Sequence, residues 1–226
     1  MSIFVRFLSL RVGRLFAVIA LAATTFSGTS FSEQNTRQAI SQGELIQLLR
    51  EGGHVLLIRH ERTEVPSRED DYTRPVDDCR AQRNLSIAGL AGAQETGVVL
   101  DAVGIPVTRV ISSPMCRSAE TARLMFGVGY EVDVRLLHHD PKGERNLDIA
   151  EDEARELLLE LAPGSAGSNI ALIGHSATIT RVSGLRLSEG EIGVVRLSES
   201  GEAVSLGQFM GSDLAPLARL NLSFAD

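Results

Sequence analysis

The sequence predicts an α/β fold of three layers, with a mostly parallel sheet that carries helices on both faces. Segments of strand character alternate with segments of helical periodicity, which is typical of parallel sheets built from crossover units. The strand segments are short and nearly uninterrupted in apolar residues, as expected of strands covered on both faces. With 226 residues, of which 43% are hydrophobic, the chain can bury one sizeable core, and one domain is expected.

The first 30 residues have the order of a secretory signal, and we set them apart from the predicted domain at 31–226. Positions 1–14 carry three arginines and no acid, an apolar run covers 15–26, and small and polar residues follow at 27–30. The apolar run is short of the ~20 residues that a spanning helix needs, although an uncleaved anchor is the alternative. Export to the periplasm or the medium is therefore expected, with no other membrane association.

The acidic charge of the chain argues against nucleic acid as a partner. The formal net charge is −7, and removal of the three arginines in residues 1–30 would bring it to −10. Such a domain is repelled by phosphate backbones. Any specificity for phosphate must then come from a local cluster of cations.

The N-terminal half of the domain predicts two helices around one strand. Residues 32–53 have helical spacing and close on two glycines, and 54–59 form a buried strand. Residues 61–84 form a long polar loop, and loops of this length in compact domains are usually functional. A helix over 85–104 follows, with Ser86 as its N-cap.

The middle of the chain predicts a second strand, a helix and a third strand. The second strand covers 107–113, and Pro114 is placed in the first turn of the next helix, a position that proline favours. The third strand is predicted over 130–137.

The C-terminal part predicts a helix over 147–162 and a fourth strand over 169–174. A short helix begins at Ser176, and two antiparallel strands near the sheet edge are expected at 191–198 and 203–210.

Three of the predicted strands deliver cationic or imidazole side chains at their carboxyl ends, where open α/β sheets bind ligands. Arg59 and His60 end the first strand, Arg117 lies one turn into the helix after the second, and His175 follows the fourth. Guanidinium groups match phosphate oxygens, and a neutral imidazole is a competent nucleophile. The pattern favours a phosphoryl-transfer site, although a single histidine at a strand end is more often a structural residue.

The two cysteines, Cys79 and Cys116, allow one disulfide in an exported protein, and two free thiols are the alternative. No cysteine or histidine spacing indicates zinc.

Four segments resemble the motifs of the histidine phosphatase superfamily, which has the phosphoglycerate-mutase-like fold. "LLIRHERT" is similar to its Arg-His-Gly signature, "NLSIAGLAGA" to its Leu-Ser-x-x-Gly segment, "VISSPMCRSAETA" to its Ser-Ser-Pro-x-x-Arg segment and "ALIGHSATI" to its late Gly-His. The segments occur in family order over 54–185. The resemblance is greatest to small bacterial members with a stretch like "DCRAQRNLS".

The resemblance implies that His60 is the nucleophile that becomes phosphohistidine. It also implies that Arg59, Arg117 and His175 bind the phosphoryl oxygens, and that neither a metal nor a cofactor is needed. The resemblance further implies that the site acts on a small phosphorylated substrate or a phosphoprotein.

Two departures from the family pattern stand beside the nucleophile. Glu61 replaces the usual glycine, so that its carboxylate repels phosphate unless it turns away or pairs with Arg59 or Arg62. Pro66 replaces a small polar residue. The missing phosphate contact is expected from the tract of Arg80, Gln82, Arg83 and Asn84, with Arg83 as the choice.

The general acid is expected after the third strand, in "LLHHDPKGERN". Asp140 is the first choice and Glu144 the second, while His138 or His139 could also donate a proton. The alternative is a solvated loop without a proton-transfer role.

The sequence thus predicts an exported phosphohydrolase that cleaves phosphomonoesters, or phosphoramidates such as phosphohistidine. A catalytically silent phosphate-binding module of the same fold is the alternative, and mutase activity is disfavoured because few residues remain to build a closed pocket.

Overall fold

The computed structural model describes residues 40–65, 69–138, 146–162 and 167–222. Its centre is a six-stranded sheet in the order β3-β2-β4-β1-β5-β6. The strands are β1 (Val55–Arg59), β2 (Val107–Ser112), β3 (Glu131–Val132), β4 (Asn169–Gly174), β5 (Glu191–Leu197) and β6 (Ala203–Met210). The first four are mutually parallel, and β5 and β6 join antiparallel beside β1. The predicted α/β class is confirmed.

Six helices cover the sheet on both faces. They are α1 (Gln42–Glu51), α2 (Ile87–Ala102), α3 (Cys116–Phe126), α4 (Leu147–Leu161), α5 (Ser176–Ser183) and α6 (Gly211–Leu222). Successive residues of β1 point to opposite faces, as strand geometry requires. Leu56 and Ile58 pack with α1, α2, α3 and α6, whereas Val55 and Leu57 pack with α4 and α5. This double burial explains the uninterrupted apolar strands.

Local capping interactions define where α1 begins and where α2 begins and ends. Ser41 and Glu44 form a capping box at the start of α1. The Ser86 side chain accepts from the Gly89 amide and caps α2, as predicted. Gly104 follows α2 with φ of 73°, a conformation that glycine adopts without steric cost.

The predicted start of α3 at Pro114 is wrong by two residues. The Ser113 amide still donates to the Ile173 carbonyl oxygen, so the sheet hydrogen bonding runs past β2. The chain then needs Pro114 and the extended N-cap Met115 to turn, and α3 begins at Cys116.

The predicted third strand over 130–137 is reduced to two residues. Glu131 and Val132 pair with the end of β2. The Asp133 carboxylate then accepts from the Arg135 amide and starts a 3-10 turn over Val134–Leu136, which takes the chain away from the sheet.

Helix α6 was not predicted from the sequence. It packs against α2 and the sheet through the buried Leu214 and Ala218. Pro216 lies inside this helix. Proline lacks an amide hydrogen and ordinarily breaks a helix interior, which hides the helical pattern around it.

No helix in the described ranges is long and apolar enough to cross a membrane. The predicted signal at residues 1–30 lies outside the described residues and stays a prediction.

Glu61, two residues after the end of β1, is packed into the protein with 2% of its surface exposed. Its Oε2 accepts from the Arg62 amide at 3.1 Å and lies 3.5 Å from Arg62 Nε. A Cβ added at Gly92 of α2 would lie 2.8 Å from its Oε1, and one added at Gly190 would lie 2.6 Å from it. Glycine at both positions therefore makes room for the carboxylate, which pairs with Arg62, one of the two arrangements anticipated.

This packing predicts that the effect of Gly92→Ala depends on Glu61. In the wild type the added methyl meets the carboxylate, and we expect a loss of about 1–3 kcal/mol in the free energy of unfolding. With Glu61→Gly already present, alanine should instead stabilise α2 by up to about 1 kcal/mol because of its higher helix propensity. Urea unfolding of the four proteins measures this.

Gly43 provides the matched control, because it also lies in a helix but has nothing within 4 Å of an added Cβ. Gly43→Ala should have the same effect with either residue at position 61. An identical effect of Gly92→Ala in both backgrounds would contradict the packing described for Glu61.

Candidate active site

The parallel pairing of β1 and β4 brings the two predicted histidines together. Arg59 stands opposite Gly174 in the register, and the next residues along the two strands are His60 and His175. The His60 amide donates to the Gly174 carbonyl oxygen at 3.0 Å. The ring centroids of the two histidines lie 5.5 Å apart, so the site predicted at this edge assembles here.

Three arginines surround the imidazoles. Arg59 ends β1, Arg117 lies in the first turn of α3, and Arg83 comes from the loop between β1 and α2. Arg59 and Arg83 both lie within 4.0 Å of Glu189, and Arg117 Nη1 donates to the Arg83 carbonyl oxygen at 3.5 Å. The charges of all three lower the pKa of His60. The four side chains expected to meet at the strand ends, together with Arg83, thus lie in one cluster.

His60 is neutral and its tautomer is determined by the backbone. Its Nδ1 lies 2.9 Å from the Glu61 carbonyl oxygen, which can only accept, so Nδ1–H donates and Nε2 keeps its lone pair. Burial, which has the largest effect, and the charges of the arginines together lower the pKa of His60 to about 3, against the opposing effect of that hydrogen bond. The ring therefore presents an unprotonated Nε2 at neutral pH.

His175 is also held neutral. Burial, followed by the charges of His138 and Arg117, lowers its pKa well below the ordinary value. Its Nε2 lies 2.9 Å from the hydroxyl of Ser113, which follows β2. The His138 ring packs against it with 4.2 Å between centroids and an angle of 49° between the ring planes.

Two of the arginines have a buried donor that remains unused in the described part of the chain. Arg59 donates from Nη1 to the Leu187 carbonyl oxygen at 3.0 Å and from Nη2 to Glu189 at 3.4 Å, and Arg117 donates from Nη1 to Asp70 at 3.1 Å. The Nε atoms of both arginines are buried without a partner there. Buried donors of this kind suit the oxygens of an anion.

Two carboxylates that sequence reasoning missed hold these arginines in place. Asp70 also accepts from the Arg83 amide at 2.8 Å and from the Tyr72 hydroxyl. Glu189 also accepts from the amide and hydroxyl of Thr63 and lies 4.0 Å from Arg83 Nη2. Both carboxylates occur in runs of acidic or turn-forming residues. Such runs are typical of solvated loops, so the sequence did not indicate that these two residues belong to the site.

Of the tract at residues 80–84, only Arg83 reaches the site. The Gln82 amide group instead accepts from the Cys116 amide at 2.9 Å and donates to Val76, and Asn84 donates to the Cys79 carbonyl oxygen. The Arg80 side chain is 95% exposed and lies 3.7 Å from Asp78.

Cys79 and Cys116 form a disulfide, which decides between the two states left open by the sequence. The bond joins the loop that carries Arg83 to the first residue of α3.

The candidates for the general acid are mostly outside the described residues. The described ranges do not include Asp140, Glu144 or His139. They do include His138, whose ring packs against that of His175. Within the described ranges, no group of three or more His, Cys, Asp or Glu side chains could hold a metal ion.

Comparison with known proteins identifies the fold. No protein-family model and no curated protein matches the chain. The structure of the protein histidine phosphatase SixA complexed with tungstate superposes with a TM-score of 0.51 at 18% identity, over 71% of this chain and 99% of that one. The alpha-ribazole phosphatase from Shigella flexneri gives 0.51 at 16% identity, over 67% and 94%.

A third structure, of an open reading frame product from Mycobacterium tuberculosis, gives a TM-score of 0.50 at 18% identity, over 70% of this chain and 97% of that one. At these identities the likeness concerns the fold. This chain therefore has the phosphoglycerate-mutase-like α/β fold that these structures share.

Proposed function

We propose that the chain is a phosphohydrolase that cleaves phosphomonoesters through a phosphohistidine formed on His60. The observation that carries the proposal is the neutral His60 ring, which lies 5.5 Å from that of His175 and whose Nδ1–H is bonded to the backbone, so that Nε2 keeps its lone pair. A nucleophile of this kind requires an unprotonated nitrogen in surroundings that stabilise the charge of the transferring group.

In the first step the phosphoryl oxygens accept from the unpaired Nε–H groups of Arg59 and Arg117. His60 Nε2 attacks phosphorus, the N–P bond forms and the ester P–O bond breaks. The leaving oxygen departs with its electron pair and takes a proton. The Glu61 carbonyl oxygen then stabilises the positive charge that the phosphorylated imidazole gains, through Nδ1–H.

In the second step water attacks phosphorus and the N–P bond breaks. Inorganic phosphate leaves and His60 regains its neutral form. His175, whose ring lies 5.5 Å from that of His60 and is also neutral, would donate a hydrogen bond to a phosphoryl oxygen.

The leaving-group proton has one described candidate donor, His138, beside Asp140, Glu144 and His139 of the neighbouring segment. Leaving groups of low pKa, such as a nitrophenolate, depart without that proton. Aryl phosphates therefore test the nucleophile independently of the acid.

The proposed substrate is a small phosphomonoester or a phosphoprotein, with phosphoramidates as the second class. Two proteins of the same fold bear names that point to different substrates, a protein histidine phosphatase and an alpha-ribazole phosphatase. We further propose export of the protein, on the signal-like order of residues 1–30.

Replacing His60 tests the mechanism. With p-nitrophenyl phosphate, His60→Ala should lower kcat/KM by about 10³-fold or more because no other described imidazole presents a free Nε2 to the site. The wild type should yield an acid-labile phosphoenzyme after rapid quenching.

His54 is the matched control, since it stands at the opposite end of β1 from His60. His54→Gln should keep its activity. Equal turnover by the wild type and His60→Ala would remove His60 from the mechanism, and phosphate binding without turnover or phosphoenzyme would favour the silent binding module.

Arg83 and Arg80 offer a second matched pair on one loop. Arg83→Ala removes a positive charge beside His60 and should lower kcat/KM by about 10²-fold. Arg80→Ala changes an exposed side chain and should leave kcat/KM within twofold. Comparable losses in the two variants would show that Arg83 contributes only general charge.

The lowered pKa of His60 predicts its behaviour in solution. Since the pKa is about 3, well below the ordinary 6.5, the ring should stay neutral and protonated on Nδ1 from pH 8 down to pH 5. ¹⁵N-edited NMR of the imidazole nitrogens measures both properties. A His60 ring that titrates between pH 6 and 7 would contradict the buried environment described here.

A further inference from the structure

We propose that the Cys79–Cys116 disulfide makes the anion site redox-sensitive, such that its reduction by a dithiol releases the Arg83 loop from α3 and weakens anion binding. The inference concerns regulation and rests on the proposed role of Arg83 and Arg117 in binding the phosphoryl group.

The disulfide joins two segments that each carry an arginine of the site. Cys116 begins α3 and directly precedes Arg117. Cys79 begins a 3-10 turn, Cys79–Ala81, that leads through Gln82 into Arg83. One covalent bond thus fixes the two arginine-bearing segments against each other across a sequence separation of 37 residues.

Three hydrogen bonds are among the other ties between the segments. The Cys116 amide donates to Gln82 Oε1, and Arg117 Nη1 donates to Asp70 Oδ1 at 3.1 Å and to the Arg83 carbonyl oxygen at 3.5 Å. The first of them caps α3, whose own N-cap Met115 makes no side-chain cap. All three depend on the two segments staying in register at the position that the disulfide holds.

Apolar burial contributes little to holding this loop. None of residues 69–81 is buried, and the first buried side chain of the tract is Gln82. A loop with so little burial opens readily once its crosslink is gone, because the chain recovers conformational freedom.

The disulfide is accessible to a reductant. Cys79 is exposed, and a groove of about 510 Å³ is lined by both cysteines together with Pro114 and Tyr130. A thiolate can therefore approach the Cys79 sulfur from solvent.

Reduction of the disulfide proceeds by thiol–disulfide exchange. One thiolate of the dithiol attacks Cys79 Sγ, a mixed disulfide forms and Cys116 leaves as a thiolate, which the N-terminus of α3 stabilises. The second thiol of the reductant then displaces Cys79 and closes its own disulfide. Two electrons and two protons pass from the dithiol to the protein.

Tungstate binding, measured by calorimetry, tests the proposal without requiring turnover. We compare the oxidised protein, the same protein reduced with dithiothreitol, and Cys79→Ser/Cys116→Ser. Reduction should weaken tungstate binding at least tenfold. The double variant should bind as weakly as the reduced protein and should not respond to dithiothreitol.

Hydrogen exchange separates local release from unfolding. In the reduced protein, residues 69–84 and the first turn of α3 should exchange faster, while β1 and β4 keep their protection. Equal tungstate affinity in all three proteins would overturn the inference, as would a loss of affinity accompanied by loss of protection in β1 and β4.

Hydrolysis of p-nitrophenyl phosphate, followed in parallel, distinguishes this inference from the proposed function. Turnover that is indifferent to reduction leaves the phosphohydrolase standing and overturns the redox proposal. Redox-dependent tungstate binding without any turnover would support the redox proposal and overturn the phosphohydrolase. Absence of tungstate binding in the oxidised protein would overturn both.

Discussion

The site depends on the register between β1 and β4. These two strands are 110 or more residues apart in the chain, yet the opposition of Arg59 and Gly174 places the two following histidines next to each other. A shift of the register by one residue would turn Leu56 and Ile58 to the opposite face of the sheet, away from the core that they share with four helices. The packing of alternate β1 side chains into two separate cores therefore fixes the register that brings the histidines together.

The chemistry of the site follows from a balance of charge and burial. Burial keeps the two imidazoles neutral, while Asp70 and Glu189 accept hydrogen bonds from Arg117 and Arg59 and so balance part of the positive charge of the arginines. These carboxylates engage the Nη groups and leave the Nε groups of Arg59 and Arg117 to other acceptors. Partial neutralisation also makes the arginines less costly to bury in the absence of an anion.

Short-range signals in the sequence predicted most of the sheet and the strand-end residues. The apolar runs of β1 and β4, the Ser86 cap and the histidines that end the strands each depend on neighbours in the chain. The signals failed where a distant contact decides: β3 is cut short by the Asp133 turn, and α6 is stabilised by packing on α2 despite Pro216. The pairs Asp70–Arg117 and Arg59–Glu189 join residues 47 and 130 positions apart, and no local pattern reveals them. The cysteine count permitted the disulfide, but only the fold shows both sulfurs within bonding distance.

The packing of Glu61 between two glycines affects how the surroundings of His60 could be redesigned. The backbone carbonyl oxygen of this residue accepts the hydrogen bond from His60 Nδ1, and its side chain packs against both glycines. Shortening that side chain to glycine would leave a void between Gly92 and Gly190, next to the residue whose carbonyl oxygen holds the imidazole. An engineer who restores glycine at position 61 should fill the vacated volume from α2, where Gly92 offers the nearest point of growth.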